Sequence, residues 1–112
     1  MLAAVGRRLT ANLRASDIKC RYGGDEFLVL LPETGLAGGL RVAETIRREL
    51  DGKPVSWQGA TIAVTGSFGV AEFSIHDLNV EGLVAKADSA LYRAKQNGRN
   101  CVEVADPPVA FA

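Results

Sequence analysis

The sequence has no excess of either charge. Thirteen Lys and Arg balance thirteen Asp and Glu, which excludes the broad basic surface that non-specific nucleic-acid binding requires and makes any phosphate recognition local. Long apolar runs are also missing: nothing approaches the roughly 20 residues needed to span a bilayer. Residues 1–15 carry Arg7, Arg8 and Arg14 among apolar positions rather than a signal-peptide core. The chain therefore reads as soluble and cytoplasmic, with neither a nucleic-acid partner nor a membrane segment. Cysteine is scarce. Cys20 and Cys101 are the only two; they lie in strand-like contexts without metal-ligand spacing and read as buried free thiols. Internal repeats and low-complexity stretches are absent. What remains is 112 residues that are 47% hydrophobic, enough for one globular unit around one core.

Apolar spacing organises that unit. Leu2, Val5, Leu9 and Leu13 fall on one helix face, with Arg7, Arg8 and Asn12 mostly elsewhere. No capping residue precedes Leu2, so the chain opens inside a helix, which reads as a truncation or a mis-set start. Residues 18–31 form two strand-like runs around Gly23-Gly24, a β-hairpin signal. The second run is apolar throughout and is expected to be covered on both faces, with Pro32 ending it. Thr34 is expected to cap the next helix, whose inward stripe is Leu36, Leu40, Ala43, Ile46 or Arg47, and Leu50, closed by Gly52 and Pro54. From Ala60 to Phe73 the alternation through Ile62, Val64, Phe68 and Val70 predicts one long strand, with room for a hairpin to the shorter run at 54–58. Asn79 caps a last helix with Val80, Leu83, Val84, Ala87, Leu91 and Ala94 inward, stopped by Asn97-Gly98. A short strand at 101–104 ends the domain, 1–104, and residues 105–112 with Pro107-Pro108 read as a tail. This order predicts an α+β fold, a mostly antiparallel central sheet with helices on both faces.

The chemistry-bearing residues concentrate at the first hairpin. In Arg21-Tyr22-Gly23-Gly24-Asp25-Glu26-Phe27, two glycines let backbone amides approach a ligand closely, and two adjacent carboxylates offer a site for a hard divalent cation. The ordinary alternative is a Gly-Gly hairpin with solvated acids, and the tetrapeptide alone does not decide between them.

The wider pattern does. The string from Arg21 to Phe27, followed by an apolar strand and Leu31-Pro32-Glu33-Thr34, closely resembles the signature of the GGDEF diguanylate cyclases. Thr65-Gly66-Ser67-Phe68-Gly69-Val70-Ala71 is similar to that family's buried strand, and the segment from Ala87 to Asn100 to its last helix and turn. The resemblance covers nearly all of residues 1–104. It implies the nucleotide-cyclase, ferredoxin-like GGDEF fold and a role in bacterial second-messenger signalling. The implied reaction condenses two GTP into cyclic di-GMP with release of pyrophosphate, each GTP held by one subunit of a homodimer. Attack of a ribose 3′-hydroxyl on an α-phosphate requires Mg²⁺ or Mn²⁺ to neutralise charge and close positioning of both substrates.

On the matching positions, the resemblance makes Asp25 and Glu26 the catalytic pair, Asp25 as a metal ligand and Glu26 as a second acid near the metals or the reacting hydroxyl, with Gly23 and Gly24 the backbone cradle and no general base assigned. Lys95 and Arg99 would reach the triphosphate. Taken alone, cations at a helix's last turn are favoured by its dipole by about 0.3–1 kcal/mol without any ligand. Arg14-Ala15-Ser16-Asp17 matches the RxxD motif that forms the family's inhibitory product site five residues before GGDEF. An Arg fork can bind a guanine edge or a phosphate, and Asp17 can accept from guanine N–H donors; outside this context the two would be a surface ion pair. Where some members add an arginine to bound product, this chain has Thr45, with Arg41 and Arg48 a turn away on either side.

In the family, a strand before the first helix supplies an Asp metal ligand, and the segment after it supplies an Asn and an Asp that read guanine. The sequence starts after them, which implies a chain inactive on its own. That strand lies inside the family's sheet, so its absence implies two unpaired ladders or a new register, a marginal or rearranged fold, or strand exchange between copies. Two other readings follow: a non-catalytic cyclic di-GMP receptor, and a partner-binding or dimerisation module.

Overall fold

The core begins with the helix periodicity. The computed structural model describes residues 2–74 and 79–105. Helix α1 (Leu2–Ala11) buries Leu9 and helix α2 (Leu36–Gly52) buries Ala43, Ile46 and Leu50. Leu9, Ile46 and Leu50 form the central cluster, against which Val5, Leu13, Val42, Phe27 and Phe68 pack. The side chain of Leu2 lies outside the described set. Ile46, not Arg47, takes the inward position, because the cluster faces Ala43 and Leu50 and leaves the neighbouring charge at the helix flank.

Strand β1 (Ile18–Arg21) pairs antiparallel with β2 (Phe27–Leu30), in the register Arg21↔Phe27 and Ile18↔Leu30. Strand β3 (Val55–Trp57) pairs with β4 (Ala60–Ile62) around Gln58 and Gly59, both left-handed at φ 48° and 78°. That two-residue turn follows the right-handed twist of its strands. Strand β5 (Phe68–Val70) pairs in parallel with β6 (Val102–Val104). The expected single strand over 60–73 is therefore two strands in different ladders. Alternation survives a change of partner, so the pattern could not reveal the break. The fold is α+β, but among the described residues one ladder of the three is parallel.

Helices cover β5 on both faces. Side chains alternate across a strand: Val70 meets α2 at Gly39 and Phe68 reaches the Leu50 side, whereas the missing side chain of Gly69 faces Ala87 and Leu91 of helix α3 (Val80–Gln96). Ala90 and Ala94 are fully buried there. Val80, expected inward, is exposed at the first position of α3. Asn79 caps α3 as expected, its side chain accepting the amide of Gly82 at 2.9 Å, and Gly98 at φ 100° follows its end.

Among the described residues, β2 pairs only with β1 and β5 only with β6. Of the two outcomes set out above, the ladders remain unjoined rather than closing into a new register. This also corrects the covering of β2: Phe27, Leu28 and Val29 are half-buried and Leu30 is exposed. The cysteines are corrected too. Cys20 is exposed on the outer strand β1, and Cys101 is half-buried with its thiol donating to Ala94 O at 3.3 Å.

Thr34 does not cap α2; the N-cap is Gly35, without a side-chain bond, while the Thr34 hydroxyl is drawn towards Arg14 and Pro32. The other end of α2 is closed from α1. Arg8 donates to Glu49 O at 3.4 Å, one of the last-turn carbonyls that a helix leaves open, and to Lys53 O and, at 2.8 Å, Pro54 O just after the helix. No helix among the described residues is long and apolar enough to cross a membrane. The tail from residue 106 lies outside the described residues.

Candidate functional site

The loop joining β1 and β2, residues 22–26, closes on one carbonyl. Glu26 O accepts from Tyr22 N at 2.9 Å and from Gly23 N at 3.4 Å, and Arg21 reaches over the loop to Gly24 O. Asp25 is exposed at the tip, and Glu26 turns back towards α3. A side chain at Gly24 would meet nothing within 4 Å, and one at Gly23 would only touch Glu26 at 3.6 Å. Among the described residues nothing crowds a side chain at either glycine.

Glu26 and α3 enclose a cleft of about 170 Å³ lined by Glu26, Asp88, Leu91, Tyr92 and Lys95. Lys95 Nζ lies 3.5 Å from Glu26 Oε1, and both side chains are 35% exposed. At that distance and exposure the pair is weak, so either partner can turn to a ligand at little cost. Asp88 and Tyr92 were not singled out from the sequence. A signal was available, because 88, 91, 92 and 95 share one helix face at three- and four-residue steps.

Arg99 does not line the cleft. It is exposed beyond the end of α3, in a left-handed conformation at φ 62°. The structure thus brings Glu26 and Lys95 together, sets Gly23, Gly24 and Asp25 on the neighbouring tip, and leaves Arg99 one turn further on.

Among the described residues no three His, Cys, Asp or Glu side chains converge on one point. Two adjacent carboxylates do not make a cage for a metal held by protein alone. They do fit Mg²⁺, which keeps several waters and is commonly shared between one or two carboxylates and a ligand's phosphates.

The second motif is already knitted together. The Arg14 amide donates to Asp17 Oδ2 at 2.7 Å, and Arg14 Nη2 reaches Asp17 Oδ1 at 3.2 Å, Pro32 O at 2.8 Å and Thr34 Oγ1 at 2.7 Å. Asp17's side chain is 3% exposed and Arg14's is 57% exposed, so the acid is covered while the guanidinium remains open to solvent. Thr45 is exposed and bonds back to Arg41 O in its own helix at 2.9 Å.

The amide of Arg14 holds the Asp17 carboxyl below its ordinary range; covering the acid acts the other way, and the guanidinium adds to the lowering by hydrogen bond and charge. A lowered acid stabilises the fold above its ordinary value, and that contribution is lost as pH falls through the folded-state value. The Asp17 carboxyl carbon, followed by NMR, is expected to titrate with a midpoint below 3.8. Arg14→Ala should raise the midpoint only part of the way, because the backbone amide remains. A midpoint at or above the ordinary value in the unsubstituted chain would contradict this geometry.

The family model for the diguanylate cyclase GGDEF domain matches residues 1–101. The response regulator PleD of Caulobacter vibrioides is 44% identical over 97 residues, covering 85% of this chain and 21% of that protein. Diguanylate cyclase A of Treponema denticola is 38% identical over 102 residues, covering 91% and 28%. The chain thus spans about a quarter of the length of these relatives. Among solved structures, the GGDEF domain of DgcB from Caulobacter crescentus, in complex with c-di-GMP, superposes with a TM-score of 0.86 at 27% identity, covering 95% of this chain and 63% of that one. Diguanylate cyclase SiaD of Pseudomonas aeruginosa, in complex with its activator SiaC, superposes with a TM-score of 0.84 at 36% identity, covering 93% and 40%. With a family model that matches residues 1–101 and relatives 38% and 44% identical over most of its length, this chain belongs to the GGDEF family of diguanylate cyclases.

Proposed function

We propose that this chain is the catalytic module, in part, of an enzyme that condenses two GTP molecules to cyclic di-GMP and pyrophosphate, and that product binds at Arg14 and Asp17 to restrain it. The observation that carries the reading is the meeting of Glu26 and Lys95, 69 positions apart in sequence, across one cleft beside the glycine tip. Lys95 binds triphosphate oxygens from the helix end, and Arg99 does so from the following turn. The open space over Gly24 lets backbone amides approach the phosphates. Asp25 and Glu26 would hold Mg²⁺ or Mn²⁺, which when bound neutralises the phosphates and the developing charge. In the reaction a 3′-oxygen bonds to the α-phosphorus of a second GTP, the bond to pyrophosphate breaks, and the hydroxyl proton passes to water. Two copies facing each other, each with one GTP, perform this twice, in the cytoplasm where GTP is found.

Alone, the chain binds Mg·GTP without turning it over. The described residues offer the metal only two adjacent carboxylates, and the unjoined β2 and β5 leave the cleft without a continuous sheet beneath it. A second reading, a cyclic di-GMP receptor, is favoured by the preformed Arg14 and Asp17 pair.

The test is to incubate the purified chain with GTP and Mg²⁺, chromatograph the products, and titrate cyclic di-GMP into a parallel sample by calorimetry. GTP binding without turnover, with cyclic di-GMP binding lost in Arg14→Ala, is the expected result. Cyclic di-GMP formation would refute inactivity of the isolated chain, and failure to bind either nucleotide would refute both readings.

A further inference from the structure

Three consecutive residues after α3 are left-handed: Gly98 at φ 100°, Arg99 at 62° and Asn100 at 46°. Glycine adopts this region freely and asparagine tolerates it, but arginine has no such dispensation. A residue held in a sparsely populated conformation persists only where its surroundings fix it. The backbone supplies part of the hold. Arg99 N donates to Ala94 O at 3.0 Å, closing the helix, and Phe68 N donates to Cys101 O at 3.0 Å, starting the β5–β6 ladder.

Around the turn, Asn97 Nδ2 donates to Glu103 Oε1 at 2.7 Å and the Cys101 thiol to Ala94 O at 3.3 Å, while the side chain of Asn100 is held from α2. Glu44 grips Arg47 side-on, taking Nε at 3.2 Å on one oxygen and Nη2 at 3.3 Å on the other. This leaves Nη1 to donate to Asn100 Oδ1 at 3.3 Å, with Asp51 behind it at 3.9 Å. The Arg47 side chain is only 20% exposed. A planar fork gripped on one side and donating on the other is a rigid strut. It spans from the middle of α2 to the turn that carries Arg99.

We propose that Arg47 is a positioning residue: through Asn100 it holds the left-handed turn and so aims Arg99 at the triphosphate. This rests on the reading above that Arg99 is a phosphate ligand. Arg47 itself touches no substrate.

The test measures Mg·GTP and cyclic di-GMP affinity by calorimetry for the full chain and for Arg47→Met, Arg99→Ala and the double variant. NMR chemical shifts and three-bond amide couplings of residues 98–100 report the turn without any ligand. Arg47→Met is expected to weaken Mg·GTP by roughly tenfold, in line with releasing one strained residue, to leave cyclic di-GMP affinity unchanged, and to shift residues 99 and 100 out of the left-handed region. In the Arg99→Ala background it should have no further effect on Mg·GTP. Arg47→Lys keeps the charge but not the fork and should behave like Arg47→Met, which guards against a variant that fails to fold. Equal losses with and without Arg99, equal losses for both ligands, or an unmoved turn would overturn the proposal. If Arg99→Ala leaves Mg·GTP affinity unchanged, the phosphate reading itself fails, and the proposal fails with it.

Discussion

Gly69→Ala is expected to destabilise the chain by about 3 kcal/mol or more, at or above the upper end of what overpacking a core costs. The Cβ would be driven into the backbone of α3, against Ala87 O and Leu91 N and within 2.9 Å of Leu91 Cα. No rotamer change relieves a clash with backbone. The helix would have to lift from β5, and Ala90 and Ala94, now fully buried, would lose the surface they pack on. Against a total stability of about 5–15 kcal/mol for a small domain, that loss removes a large part of the folded population. Urea unfolding followed by far-UV circular dichroism measures it. Gly24→Ala is the control, because nothing lies within 4 Å of its added carbon, and a change of no more than about 0.5 kcal/mol is expected. Similar midpoints for the two variants would mean that the close approach of α3 to β5 is wrong.

The second large effect is on nucleotide binding. Lys95→Ala should weaken Mg·GTP by roughly 10- to 100-fold, the range for losing a hydrogen bond to a charged group. Its effect on stability should stay within about 0.5 kcal/mol, because the pair it makes with Glu26 is long and solvent-screened. Arg99→Ala should weaken binding as well, and the two substitutions together should cost less than their sum, since both groups hold one triphosphate. Cyclic di-GMP affinity should not move in either variant, as Arg14 and Asp17 sit at the other end of the hairpin. An unchanged affinity for Mg·GTP in Lys95→Ala would remove the central residue of the proposed site.

Local rules were enough to read much of this fold. The 3.6-residue stripe placed α2 and assigned Ala43 and Leu50 to the core. Asn79 and Gly98 marked the two ends of α3 because capping depends on the residue's own side chain or on its freedom at positive φ. Three motifs in fixed order were enough to assign the family, which the matched family model and the superposed structures then showed.

Other features depend on partners far along the chain, and sequence spacing does not encode these. The break between β4 and β5 was invisible because two short strands in different ladders alternate just as one long strand does. Thr34 looked like a cap until Arg14, 20 positions away, engaged its hydroxyl. Spacing placed Arg8 off the apolar face of α1 but not its partners, three carbonyls at and just beyond the end of α2. Asp88 and Tyr92 became cleft residues only when the hairpin carried Glu26 to that face of α3. Periodicity and caps record what each residue asks of its immediate neighbours. Which surface covers a strand and which carbonyl meets a guanidinium are settled only when distant elements pack, and that packing is where the candidate site was assembled.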